Sequence, residues 1–171
     1  MRKIKPGTVY EIKLDVEKYV YVCRFDVSLL GLFDVVSEEQ MEIETIKNRK
    51  IIDYKELLFL DKLNHLPKEK IIRNKWEKIG EIESISDDIN IPDLAIYNPW
   101  NPVLSHKNCE VIRNGSRIKV TQEEYKKILE TGLIYGRIDN FIIYERYITR
   151  NIDNIINNKP MDPGGDITTF G

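Results

Sequence analysis

Three β-rich runs fill the first 36 residues of the chain, and they constrain its fold more than any other feature. From Thr8 to Leu14, Val9, Glu11 and Lys13 alternate with Tyr10, Ile12 and Leu14, the period-two pattern of a strand with one buried face. Asp15-Val16-Glu17-Lys18 reads as a turn. Tyr19 to Val27 and Leu29 to Val36 follow as two further runs of β-branched and aromatic residues, divided by a short link near Ser28. Together they predict a three-stranded meander whose apolar face must be covered by something later in the chain.

The later sequence supplies candidates for that cover. Glu110–Arg113 and Ser116–Val120 flank Asn114-Gly115, the pair that supplies two positive-φ residues to a type I′ hairpin. Thr121-Gln122-Glu123-Glu124 then forms a capping box, with Tyr125, Ile128 and Leu129 on one helical face and Gly132 as the stop. A second helix is expected from about Asp139, where Phe141, Tyr144, Ile148, Ile152 and Ile155 recur at helical spacing. Tyr54 to Leu60 reads as another strand, and Asn64-His65-Leu66-Pro67 breaks it. Residues 37–53 stay open between helix and strand, because Ser37 opens a capping pattern while Ile43, Ile46, Ile51 and Ile52 suit either. The resulting expectation is an α+β fold with an antiparallel, small-barrel-like or strongly curved sheet and C-terminal helices. One domain is expected over 1–158, followed by a loosely ordered, Pro- and Gly-rich tail over 159–171.

Twenty-six basic residues nearly balance 28 acidic ones, so the net charge of -2 creates no global field for nucleic acid or an anionic membrane. No apolar run approaches the roughly 18 residues of a membrane span, and Met1-Arg2-Lys3-Ile4-Lys5 leads into strand-like sequence without a signal-peptide core. A cytoplasmic protein with no membrane partner is the expectation. Cys23 and Cys109 are the only cysteines, and Cys23 lies within an alternating strand where a thiol behaves as a small hydrophobe.

Catalytic chemistry finds little support. His106 and Cys109 stand three apart, yet zinc needs about four ligands and only His65 and Cys23 remain to complete a set. The glycines form no phosphate-cradling pattern. Asp87-Asp88 lies in a polar stretch that offers no desolvation to tune a carboxylate. No catalytic, cofactor-binding or metal-binding residue is therefore assigned, and neither a small-molecule substrate nor a nucleic-acid partner is expected. Trp76 sits among Lys68, Lys70, Arg73, Lys75 and Lys78; Ile71, Ile72 and Ile79 supply an apolar bed that makes it a core anchor. The alternatives kept are a small hydrolase or nuclease whose site assembles from scattered residues such as His65, His106 and a nearby carboxylate, and a regulatory nucleic-acid-binding barrel using Trp76 and its basic neighbours.

The most asymmetric segment runs from Glu81 to Asp93. It holds Glu81, Glu83, Asp87, Asp88 and Asp93 and no basic residue. A surface loop of one charge sign can steer a basic protein partner and orient it, so these five are the candidate partner-binding residues.

Lys5-Pro6-Gly7-Thr8-Val9-Tyr10, Tyr19, Tyr21 and Arg24, with Trp76-Glu77-Lys78-Ile79-Gly80, resemble the immunity protein 26 family of bacterial polymorphic toxin systems. The shared pattern is a Pro-Gly turn into a strand, then a Tyr-rich strand ending in Arg; Lys13 and Val22 replace the proline and glycine common there. The similarity spans roughly residues 3 to 100. It implies a non-enzymatic protein that binds the C-terminal domain of a cognate toxin and blocks it, with the matching residues acting as supports of the fold.

Overall fold

The computed structural model describes residues 6–25, 28–58, 68–83 and 91–164. The expected meander is present as β1 (Thr8–Lys13), β2 (Tyr19–Arg24) and β3 (Leu29–Ser37), each antiparallel to the next. Two more strands extend it, β4 (Ile51–Leu57) antiparallel to β3 and β5 (Glu77–Glu81) antiparallel to β1. A second, smaller sheet has the order β6 (Leu94–Ala95), β7 (Glu110–Arg113), β8 (Ser116–Lys119). The large sheet is completed by β9 (Arg137–Ile138), parallel to β4, giving the order β5-β1-β2-β3-β4-β9. The fold is α+β. Among the described residues the large sheet does not close, with β5 and β9 as its edges, so of the two expected forms the curved sheet rather than the barrel fits. Register shifts at Val9/Tyr10, Val20/Val22 and Leu32/Phe33 mark bulges, each of which bends its strand.

The segment left open at 37–53 holds both kinds of structure. β3 runs to Ser37, a single helical turn α1 (Ile43–Ile46) follows, and β4 begins at Ile51, three residues before the expected Tyr54. Further helices are α2 (Lys68–Arg73), α3 (Pro102–Asn108), α4 (Gln122–Glu130), α5 (Phe141–Arg150) and α6 (Ile152–Ile156). The capping box forms as expected, with the Glu124 amide donating to Thr121 Oγ1 and the Thr121 amide donating to Glu124 Oε2, both at 3.2 Å. The hairpin turn likewise has positive φ at Asn114 (50°) and Gly115 (75°).

One expectation fails in an informative way. The meander was expected to bury one face, and it buries both. Tyr10, Ile12, Leu14, Val20, Val22, Leu30 and Leu32 pack beneath α5 and α6, meeting Tyr144, Tyr147, Ile148 and Ile155. On the reverse face Val9, Tyr21, Cys23, Phe33 and Val35 pack against Ile46 of α1 and Ile82. Glu11, which alternation assigns to solvent, is 5% exposed. It is tolerated because Tyr21 and Gln40 donate to its two carboxylate oxygens at 3.0 and 2.8 Å, while the Met41 amide donates to the Tyr21 hydroxyl at 2.8 Å. This network ties the chain after β3 across the sheet. Gly31 permits the same face to close, since a Cβ there would stand 2.5 Å from the Phe25 ring and 2.8 Å from Ile51.

The segment expected to form a loose tail begins with residues held against the domain. Met161 is buried in the main core. Buried Asn151 accepts from the Asp162 amide at 2.7 Å and donates to the Asp162 carbonyl at 2.9 Å, and Arg150 donates to the Pro163 carbonyl at 2.9 Å. Residues 165–171 lie outside the described residues.

Candidate protein-binding surface

The charged and nucleophilic groups divide between a closed interior and an open surface. Inside, β4 places Asp53 and Lys55 on the same face two residues apart, where both are almost wholly buried. Lys55 Nζ donates to Asp53 Oδ1 at 2.6 Å and to the Ile134 carbonyl at 3.2 Å, and it lies 5.5 Å from the centre of the Tyr147 ring. Tyr147 donates to Asp53 Oδ2 at 2.9 Å. Burial, reinforced by the Asp53 charge, holds the Tyr144 and Tyr147 hydroxyls well above the ordinary tyrosine range. The cluster crosses from the sheet to α5 inside the core and ties the two together.

The thiols are equally enclosed. Burial pushes the Cys23 thiol up to about 12, far from a nucleophile's range. Cys109 ends α3 in a left-handed conformation (φ 49°), and its thiol donates to the His106 carbonyl at 2.9 Å. His106 is exposed, its ring edge-on to Tyr125 and Tyr97 at 5.7 and 6.3 Å, beside a depression of about 240 Å³ lined by Cys109, Gln122, Tyr125 and Lys126. His65 lies outside the described residues. Among the described residues no three His, Cys, Asp or Glu side chains gather as a metal-holding group.

Trp76 is the core anchor its apolar neighbours predict. It is 3% exposed, edge-on to Phe141 at 4.7 Å, with its indole N–H donating to Glu145 at 2.8 Å. That ring has no free face on which a base could stack. Arg24, which ends the Tyr-rich strand, is also buried, and its carbonyl accepts from the Gly7 amide at 2.8 Å.

The acidic segment is partly committed to internal contacts. Glu81 accepts from Lys78 at 2.9 Å, and Asp93 is gripped by Arg113 through both Nε and a terminal nitrogen, the shortest contact being 2.6 Å. Glu83 is exposed, while Asp87 and Asp88 lie outside the described residues. The structure therefore leaves Glu83 as the one described acid of the five with an open carboxylate.

The surface that stands out is built on Asn98-Pro99-Trp100-Asn101-Pro102, where two prolines stiffen the connection into α3. Asn98 Oδ1 accepts from the Trp100 amide at 2.9 Å and its carbonyl accepts from the Asn101 amide at 3.1 Å, closing a turn. Asn101 caps α3 by accepting from the Leu104 amide at 3.2 Å, with Pro102 at the first helical position. Ser105, buried on the inner side of α3, accepts from the Asn98 amide at 2.8 Å and pins the turn to the helix. Out of this framework Trp100 projects 81% exposed, followed by Val103 at 77% and Leu104 at 46%. Three large apolar side chains this exposed within five residues, on a backbone held by its own hydrogen bonds, make this turn the candidate surface. Comparison with protein-family models, with curated proteins and with solved structures gives no match to this chain. No helix among the described residues is long and apolar enough to cross a membrane.

Proposed function

We propose that this chain is an immunity protein that binds a cognate bacterial toxin domain and neutralises it by stoichiometric protein–protein inhibition, acting in the cytoplasm without turnover of its own. The observation that carries the reading is Trp100, a large indole presented to solvent by a turn with its own hydrogen bonds and two flanking prolines. Rigid exposed aromatics lose little conformational freedom on docking and dominate interface energetics. The interior arrangement supports the same reading, because its charged and thiol groups are engaged in holding the fold. The resemblance of residues 3 to 100 to immunity proteins supplies the class of partner.

Co-expression tests the proposal. Cells producing the toxin domain encoded beside this chain should survive when the chain is present, and the purified proteins should associate one to one in calorimetry. Failure to bind that domain, together with turnover by the purified chain that His106→Ala abolishes, would replace the inhibitor with the hydrolase alternative.

A further inference from the structure

The outer side of α3 has a chemistry that specifies what it meets. Val103, Leu104 and Lys107 fall three and four residues apart and share a stripe, with Trp100 just before the helix start, whereas Ser105 and Cys109 face inward. From Pro102 to Asn108 the helix has no acidic side chain. Lys107, and Lys126 beside the depression between α3 and α4, are exposed and form no ion pair among the described residues. Their neighbours differ: Lys127 is held by Glu123 at 3.2 Å, and Arg113 by Asp93.

From this we infer that α3 is the anchor of the complex, with Trp100, Val103 and Leu104 entering an apolar cleft of the toxin domain and Lys107 and Lys126 meeting carboxylates on the rim of that cleft. The inference rests on the inhibitor reading and adds the chemistry of the partner's surface. Apolar anchors ringed by complementary charges are the usual anatomy of a specific interface. A short helix offering anchors at this spacing to a groove is a recurrent recognition mode. A second copy of the chain fits less well, because a two-fold pairing through α3 would set these unpaired ammonium groups against their own kind. Single-stranded nucleic acid fits less well too: Trp100 is followed by Val103 and Leu104 rather than further stacking rings, and the net charge of -2 gives no attraction at long range.

The test measures affinity and association rate between the toxin domain and four proteins: the parent, Trp100→Ala, Val103→Glu and the double variant Lys107→Glu/Lys126→Glu. All four positions are exposed, so thermal unfolding should stay close to the parent's. Trp100→Ala should weaken binding about 30-fold or more, and Val103→Glu, which places a charge in the apolar cleft, should do the same. The double lysine variant should slow association about tenfold at low salt, with the gap closing as salt rises. Binding within about twofold of the parent for both Trp100→Ala and Val103→Glu would overturn the anchor and leave the inhibitor reading standing. Absence of binding by the parent would overturn the inhibitor reading, and the anchor with it. Trp100-dependent binding of poly(dT), or a parent dimer that Trp100→Ala dissociates, would assign the surface to the other occupants and overturn the inference.

Discussion

Tyr147 and Asp53 lie 94 residues apart in the chain and 2.9 Å apart in the fold, the phenol of one donating to the carboxylate of the other. This contact joins the last long helix to the fourth strand, and Lys55 completes it from the opposite carboxylate oxygen. Removing one member strands the others in a dry environment. Tyr147→Phe should cost about 1–3 kcal/mol, and Lys55→Met, which leaves Asp53 an unpaired buried charge, about 3–5 kcal/mol. Joint replacement by Asp53→Leu and Lys55→Met should recover most of that loss, because two apolar groups leave no charge to desolvate. Urea unfolding of the three variants checks the ordering.

Alkaline pH should unfold this protein through its interior. Burial lifts the Cys23 thiol from 9.0 to about 12 and the Tyr54 and Tyr125 hydroxyls from 10.0 to about 12, and it raises Tyr144 and Tyr147 as well. The unfolded chain therefore releases these protons first as pH rises, which favours unfolding. Their stabilising contribution is whole below the unfolded value of 9.0 for the thiol and 10.0 for the phenols, and is lost progressively toward about 12. Urea midpoints measured from about pH 8 to about pH 11 should hold level until about pH 9 and then fall. Cys23→Val should remove the earliest part of that fall and leave the later, tyrosine part.

Trp76 should behave as a fold residue. Trp76→Ala, which empties a site bounded by Phe141 and Tyr144, should cost about 3–5 kcal/mol. Trp76→Phe keeps most of the apolar contact while depriving Glu145 of its donor, and should cost less, about 1–3 kcal/mol. Denaturant midpoints separate the two; an unchanged midpoint for the alanine variant would contradict the core placement.

Truncation after Pro160 should destabilise the protein, because it withdraws Met161 from the core and both Asp162 contacts from Asn151. Met161→Ala alone should cost about 2–5 kcal/mol, and Asn151→Ala about 1–3 kcal/mol for the buried groups left unpaired. Melting temperatures of the three proteins provide the check.

Local chemistry made much of this architecture legible. The meander, the Asn114-Gly115 hairpin, the capping box at Thr121 and the helix after Asn140 each follow from signals contained within a few residues. What escaped depends on distant partners. Alternation assigns Glu11 to solvent, yet Tyr21 and Gln40 hold its carboxylate; the burial of Asp53 and Lys55 likewise depends on Tyr147 and the Ile134 carbonyl, 79 to 94 residues away in the chain. The two-residue strand Arg137–Ile138 exists only because β4 offers it an edge. In Asn98-Pro99-Trp100-Asn101-Pro102 the stiffness was readable from composition. The exposure of the indole was not, since a tryptophan is more often covered and the bonds that fix this turn, such as that from the Asn98 amide to buried Ser105, join residues that no pattern of the sequence pairs.

The chain's two tryptophans therefore occupy opposite environments, Trp76 enclosed by aromatic rings and Trp100 open to water. Their fluorescence should separate accordingly, the enclosed indole emitting toward the blue and the open one toward the red. Unfolding shifts the first signal to the red, whereas docking through α3 shifts the second to the blue. A Trp100→Phe protein thus reports folding alone. The parent, titrated under conditions where the fold is stable, reports the arrival of a partner at the surface without any attached label.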